Sequence, residues 1–304
     1  MTPGIAVLGE ALMDCVAQPD GSLLPLMGGS PFNLARAAAR RGAPVSFLNP
    51  LSGDVFGQRM REQLLQDGVR CLLPASPLPT SLAVVQISDG QASYGFYREG
   101  IADRDYSAEQ ILAELATHPV GVLHTGSLLL VPPEHRKVLE VLQGARLMGW
   151  TISVDLNLRP RLAADLPAYL NAVRQVARLA HWLKASDEDL ESLGLAARSP
   201  ADAPALAARV AGPDCRRMAL TFGAQGAWLS ADGCSASAPA HPVKLVDTVG
   251  AGDTFWGNCL ADWVLGSGEA GNRVQDTLNL ALRAAAINCG RAGCQPPTRA
   301  ELSA

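Results

Sequence analysis

Three short apolar segments recur through the middle of the chain: Val120-Gly-Val-Leu-His124, Thr151-Ile-Ser-Val-Asp155 and His181-Trp-Leu-Lys-Ala185. Each is too short for a buried helix and apolar enough for a strand covered on both faces. Before and between them, residues 108–116, 133–149 and 166–178 carry apolar side chains at helical spacing. A strand–helix alternation of this kind builds a parallel sheet with helices packed on both sides. The α/β class follows from this passage.

The same grammar continues outward. Toward the N-terminus, Ile5–Gly9 and Pro44–Asn49 read as strands, and helices are predicted from Pro31 through Arg41 and over Val55–Leu65. Toward the C-terminus come a helix over 201–211, strands over 217–222 and 226–230, and helices over 251–265 and 271–291. Two passages break the alternation. Residues 12–27 read as two strands about the turn Pro19-Asp20-Gly21, and Ser81–Ile87 pairs with Ala92–Tyr97 about Ser88-Asp89-Gly90. Hairpins cannot join a parallel core, so they are expected to project from an edge as a small lid, with strands from about 12–27 and 80–104. A lid that excludes water suits group transfer, because water is the competing acceptor. With no low-complexity linker and no repeat, residues 1–304 read as one domain.

The composition is that of an ordinary globular enzyme, 48% hydrophobic and 18% charged. A net charge of −4 and a pI near 5.7 offer no basic excess for nucleic acid. No apolar run is long enough to span a bilayer and the N-terminus shows no basic-then-apolar signal pattern, so a cytoplasmic location is expected. The seven cysteines have no CxxC pair and read as reduced thiols, and the five histidines have no metal-binding spacing.

The chemistry concentrates in Asp247-Thr-Val-Gly250-Ala-Gly252-Asp253-Thr-Phe255. Two glycines flanking an alanine let the backbone turn tightly at the mouth of a helix, where bare amides and the helix dipole hold an anion. A fixed carboxylate beside phosphates repels them unless it takes a proton from a hydroxyl while the amides hold the transferring group. Read locally, the motif is either that phosphotransfer site or a glycine turn whose aspartate caps a helix. Gly28-Gly29-Ser30-Pro31-Phe32-Asn33 forms a second cluster: glycines for close approach, Pro31 for a first helical turn, Asn33 as donor and acceptor. No GxxxxGK[ST] loop is present, and Phe255 stands where a dinucleotide fingerprint needs its third glycine.

Gly28–Gly57, GGSPFNLARAAARRGAPVSFLNPLSGDVFG, closely resembles the first signature of ribokinase-like (PfkB-type) sugar kinases, and Asp247–Phe255 resembles the second. The two long motifs stand in the family's order about 220 residues apart. Within the family the text looks most like fructokinases. Gly9–Asp14 resembles their opening, in which the aspartate grips sugar hydroxyls; Phe96–Glu99 with Ala102-Asp103 resembles their lid strand; His124–Ser127 and Asp155–Pro160 match strand ends that line the sugar site.

The resemblance implies an ATP-dependent sugar kinase acting on a hexose, with fructose as the expected acceptor. It implies Asp253 as general base, an anion hole from Gly250, Ala251 and Gly252, and sugar contacts from Asp14, Gly28, Gly29, Asn33, Arg98 and Arg159. Thr221, Gly223 and Gly226 match the nucleotide loop, and Lys184 joins that site. Lys184–Glu191 carries the acidic segment that helps place Mg²⁺; many relatives have Asn and Glu where Ser186 and Asp189 stand here, and Asp189 is the metal-organising candidate, acting through water. A monovalent cation such as K⁺ and a homodimer built through the lid strands belong to the same expectation. Leu282 falls where ribokinases proper tend to have asparagine, which leaves purine recognition to apolar packing and backbone. The nearest alternative is 2-keto-3-deoxygluconate kinase, whose substrate carboxylate Arg98 and Arg159 could pair if no acid neutralises them. Further alternatives are another ribokinase-family sugar or nucleoside kinase, and a non-catalytic sugar sensor on the same fold.

Overall fold

Strands in chain order are β1 Ile5–Val7, β2 Leu12–Ala17, β3 Leu23–Gly28, β4 Val45–Phe47, β5 Val69–Cys71, β6 Ser81–Ser88, β7 Gln91–Tyr97, β8 Val122–Gly126, β9 Thr151–Asp155, β10 Trp182–Ser186, β11 Arg217–Thr221, β12 Ala227–Ala231 and β13 Cys234–Ala238. Helices are α1 Ser30–Arg40, α2 Val55–Gln66, α3 Ala108–Ala116, α4 His135–Leu147, α5 Leu166–Leu179, α6 Asp187–Ser192, α7 Ala203–Val210, α8 Ala251–Leu265, α9 Val274–Cys289 and α10 Arg299–Ser303. These come from a computed structural model that describes residues 3–88, 91–196, 199–266 and 270–303.

The large sheet has the order β13-β12-β11-β10-β9-β8-β1-β4-β5. From β5 to β11 every neighbouring pair is parallel; β12 and β13 add an antiparallel margin. Successive strand residues feed opposite faces. Ala6, Leu8, Ile152, Val154, Leu183 and Leu220 belong to one core cluster with side chains of α3, α4, α5 and α7. Ile5, Val7, Val45, Ala219 and Leu229 belong to the other, with α1, α2, α8 and α9. The predicted parallel sheet covered on both faces is therefore present.

A second sheet, β3-β2-β6-β7, joins the two early strand pairs. Each pair is antiparallel within itself, and β2 and β6 run parallel, aligning Leu12 with Ser81 and Asp14 with Ala83. The predicted turn residues Asp89 and Gly90 lie outside the described residues. Elements that sequence patterning missed are short or weakly patterned. Strand β5 offers three residues, with Arg70 exposed; β13 reads Cys-Ser-Ala-Ser-Ala; α6 is a six-residue helix opened by a Ser186–Asp189 capping box.

Candidate active site

Arg159 and the Thr221–Gly226 connection stand at the carboxyl ends of the parallel strands β9 and β11, the usual ligand edge of an α/β sheet, while Asp14 and Gly28 come from the small sheet, Asn33 from α1 and Gly250–Asp253 from the start of α8. Gly250 is the N-cap of α8 and adopts a left-handed conformation, φ 73°. Its φ and its packing both demand glycine, because a Cβ there would collide with Cys294 Sγ. Ala251 N–H donates to the Thr248 carbonyl at 3.2 Å, and Thr254 N–H to Gly250 at 2.8 Å. Among the described residues the amides of Gly250, Gly252 and Asp253 find no such partner and are the helix's available donors. Of the three residues expected to form the anion hole, Ala251 has its amide engaged within the turn, while Gly250 and Gly252 keep theirs available.

Asp253 stands in the first turn of α8, and its side chain does not cap the helix. Instead, Ser30 Oγ donates to Oδ1 at 2.7 Å and Asn33 Nδ2 donates to Oδ2 at 3.0 Å. Both donors come from the opening of α1, which a Gly29 N-cap at φ 104° aims at the carboxylate. Burial pushes Asp253 above the ordinary carboxylate range, opposed by the Ser30 and Asn33 hydrogen bonds and by the charges of Lys184 and Arg159. A carboxylate so placed can accept a proton from a hydroxyl delivered beside the free amides.

Lys184 reaches the same loop from the middle of β10. Its ammonium lies 2.8 Å from both oxygens of Asp155, and a Cβ added to Gly252 would stand 3.2 Å from Nζ. Burial works against the Lys184 charge, but Asp155, Asp189 and Asp253 more than offset it and raise its pKa. The cation stays beside the loop.

Asp14 comes from β2. Burial lifts its pKa to about 6, Arg159 opposes the rise, and Asp253 and Asp247 add to it. Four separate segments therefore converge electrostatically. Arg159 itself is held by its own loop, donating to Asn157 Oδ1 at 2.7 Å and to the Asn157 and Leu158 carbonyls.

Arg98 differs from this group. It is buried against Asp103, with Nη1 3.0 Å from Oδ2, and also donates to Ser81 Oγ at 3.1 Å. Thr221, Gly223 and Gly226 form the β11–β12 connection. Gly223 has open space at its Cβ position, whereas a Cβ on Gly226 would collide with the Ala238 carbonyl, which is reason enough for that glycine. Leu282 is buried in the second core cluster.

Among the described residues no group of three His, Cys, Asp or Glu side chains could hold a metal. Asp189 accepts from Leu158 N–H at 2.6 Å and Ser186 N–H at 2.8 Å, Asp155 faces Lys184, and Asp253 is committed to Ser30 and Asn33. This donor set fits a Mg²⁺ carried on substrate phosphates and water, the usual habit of that ion.

Three participants escaped the sequence reading. Ser30 and Glu10 lie inside quoted motifs but had no role; Ser30 N–H donates to Glu10 Oε1 at 3.2 Å. Cys294 lies some forty residues beyond the loop that it packs beneath, with no local signal. His124, in the middle of β8 rather than at its end, shares the Ser153 hydroxyl with Trp256 Nε1 at 3.0 and 3.1 Å, and burial depresses its pKa to about 3, so it stays neutral.

Residues 2–301 match the model of the pfkB family carbohydrate kinases. The chain belongs to that family. It is an ATP-dependent sugar kinase. Among pfkB-family relatives, it is 33% identical to a fructokinase of Rhizobium leguminosarum bv. trifolii over 264 residues, 84% of this chain and 78% of the relative. It is 30% identical to a Vibrio alginolyticus fructokinase, covering 84% and 82% of the two chains. The solved fructokinase of Vibrio cholerae O395 with fructose, ADP and calcium ion superposes with a TM-score of 0.82 at 24% identity, covering 99% of this chain and 98% of that one. A Xylella fastidiosa fructokinase with bound ATP gives 0.81 at 24% identity, covering 98% and 97%. This pfkB-family kinase thus shares the ribokinase-like fold over 98–99% of its length. No helix among the described residues is long and apolar enough to cross a membrane.

Proposed function

We propose that this kinase is a fructokinase, transferring the γ-phosphoryl group of ATP to a primary hydroxyl of fructose. The observation that carries the reading is the buried Asp253 carboxylate, held by Ser30 and Asn33 one residue beyond the free amide of Gly252. The similarity to fructokinases supports fructose as the acceptor. Asp253 takes the proton of the hydroxyl as its oxygen closes on the phosphorus. The amides of Gly250, Gly252 and Asp253 hold the charge on the transferring group, and Lys184 adds a fixed cation beside them. Bound with ATP, Mg²⁺ would neutralise phosphate charge. Asp189 supports the site from behind, bracing the chain at Leu158 and Ser186. Asp14, Gly28, Gly29, Asn33 and Arg159 orient the sugar, and the four-stranded sheet covers it.

The Arg98–Asp103 pair weighs against 2-keto-3-deoxygluconate, because the arginine that would meet the substrate carboxylate is already neutralised. ADP release should be compared across fructose, ribose, 2-keto-3-deoxygluconate, tagatose and adenosine. Fructose is expected to give the highest kcat/KM, and a higher value for any other acceptor refutes the assignment. Asp253→Asn should nearly abolish turnover while both substrates still bind; near-normal activity would sink the mechanism.

The small sheet ends in two open edges, β3 and β7, with Leu23 50% and Leu24 48% exposed on the first and Tyr97 65% exposed on the second. We infer that a second copy covers these edges to form a homodimer. Sedimentation of the wild-type chain showing only monomer at micromolar concentration would remove this reading.

A further inference from the structure

Both oxygens of Asp253 are engaged, but the two donors differ. Asn33 belongs to the expected sugar contacts, whereas nothing about the acceptor requires Ser30. Yet Ser30 Oγ donates to Oδ1 at 2.7 Å, an ordinary length for a hydroxyl donor, and Ser30 is only 8% exposed. Its backbone is also tied down, the N–H donating to Glu10 Oε1 at 3.2 Å, and Glu10 is 1% exposed. Missing side chains press the two loops together. A Cβ on Gly9 would collide with the Pro31 ring, and one on Gly29 would stand 2.5 Å from the Glu10 carbonyl oxygen. The β1–β2 loop therefore forms a floor that fixes where the Ser30 hydroxyl can be.

A carboxylate held by one donor can still turn about its Cβ–Cγ bond, and a general base works only when its lone pair meets the proton it takes. We propose that Ser30 is a positioning residue for phosphoryl transfer: anchored on Glu10, its hydroxyl fixes the plane of the Asp253 carboxylate so that a lone pair faces the acceptor hydroxyl. The proposal rests on the reading of Asp253 as the base.

Two consequences separate positioning from packing. The geometry matters at the transfer step, so losing the hydroxyl lowers kcat and leaves both KM values nearly unchanged. The Ser30 bond also favours the ionised carboxylate, so its loss moves the acid limb of the rate profile to higher pH. The other charged and titratable groups facing Asp253 are Lys184 from β10 and Arg159 from the loop after β9, with Asp14 from β2, Asp155 from β9 and Cys294 from the C-terminal segment. None of them changes in a Ser30 substitution.

The test compares Ser30→Ala, Ser30→Thr and Asp253→Asn in the full-length enzyme, with the sugar that the acceptor panel ranks first. Ser30→Ala should lower kcat by about 10- to 100-fold, the worth of one hydrogen bond to a charged group. It should keep both KM values within about threefold and displace the acid limb upward. Ser30→Thr, which retains the hydroxyl, should recover most of the rate. Where Ser30→Ala melts far below the wild type, Ser30→Cys keeps the volume with a weaker donor and should show the same signature. If Asp253→Asn stays active, the base reading fails. If Asp253→Asn is inactive but the serine variants keep their rate, or lose it with an unmoved limb and no rescue by threonine, Ser30 only packs and the proposal is overturned.

Discussion

Gly28 and Asp14 are diagonal neighbours on the β2–β3 hairpin, whose register pairs Leu12 with Gly28 and Asp14 with Leu26; a Cβ on Gly28 would collide with Asp14 Oδ2. The bare glycine is what leaves room for the carboxylate to lie across the hairpin. Gly28→Ala should therefore displace Asp14 while leaving the anion loop alone. The expected outcome is a KM for the sugar raised about tenfold or more, an ATP KM within about twofold, and an unchanged melting transition. Steady-state kinetics with calorimetry checks it, and an unaltered sugar KM would show that Asp14 does not need that space.

Asp14 should also make sugar binding pH-dependent. Its pKa is raised to about 6, chiefly by burial, so the carboxylate is ionised above that pH and protonated below it. An ionised carboxylate accepts hydrogen bonds from sugar hydroxyls with both oxygens, whereas a protonated one loses part of that capacity. Affinity for fructose, measured by titration calorimetry without nucleotide, should be full above about pH 6 and fall as the pH drops through it. Asp14→Asn should bind more weakly throughout and lose this dependence. A wild-type Kd that is flat across this range would exclude Asp14 from the contact.

Gly250 and Gly252 should fail for different reasons when changed to alanine. At Gly250 the left-handed backbone costs about 1–2 kcal/mol and the collision with Cys294 about 1–3 kcal/mol more. Gly250→Ala is expected to lose both stability and activity. At Gly252, inside α8, alanine is the better helix former by up to about 1 kcal/mol. Its methyl would instead press on Lys184 Nζ, which is pinned to Asp155 and cannot easily yield. Gly252→Ala should melt no earlier than the wild type yet lose about tenfold or more in kcat. Parallel melting and kinetic measurements distinguish the two behaviours.

The Arg98–Asp103 pair should behave as a buried clasp. Arg98 follows β7, and Asp103 is fastened toward the large sheet because its carbonyl accepts from Asn49 Nδ2 at 2.8 Å while Asn49 Oδ1 accepts from Gly9 N–H. Arg98→Met strands the Asp103 charge and should cost about 3–5 kcal/mol in chemical denaturation. Adding Asp103→Asn should restore a large part of that loss, since the stranded Asp103 charge is then removed with its partner. A double variant as unstable as the single one would place the cost elsewhere, in packing.

How much of this was legible follows from the range over which each feature is specified. Strands such as Leu123–Thr125 and Ile152–Val154 are buried on both faces, so they appear as apolar runs whatever surrounds them. The Gly250–Asp253 turn is legible because a left-handed glycine, a helix start and an acid follow one another along the chain. Strand β13 was not legible because alternating small residues at a sheet margin carry no hydrophobic period. Nor did the local pattern reveal that Asp103 neutralises Arg98, although the two stand five residues apart. Such a pairing depends on the chain folding back after β7.

The α/β class, the order of its elements and the place of the glycine turn that opens α8 are thus matters of local chemistry: periodicity, turn residues and helix starts act within a dozen residues. Which amides of that loop stay free, which acids are neutralised and what aims Asp253 depend on contacts across the chain, such as Ser30 with Asp253 at a separation of 223 residues. Burial then shifts the charges of Asp14, His124 and Asp253 by removing water that no short stretch of sequence can remove by itself. Proton affinity and hydrogen-bond partnership belong to the packed environment, so the reactive properties of the site arise when distant segments close around it.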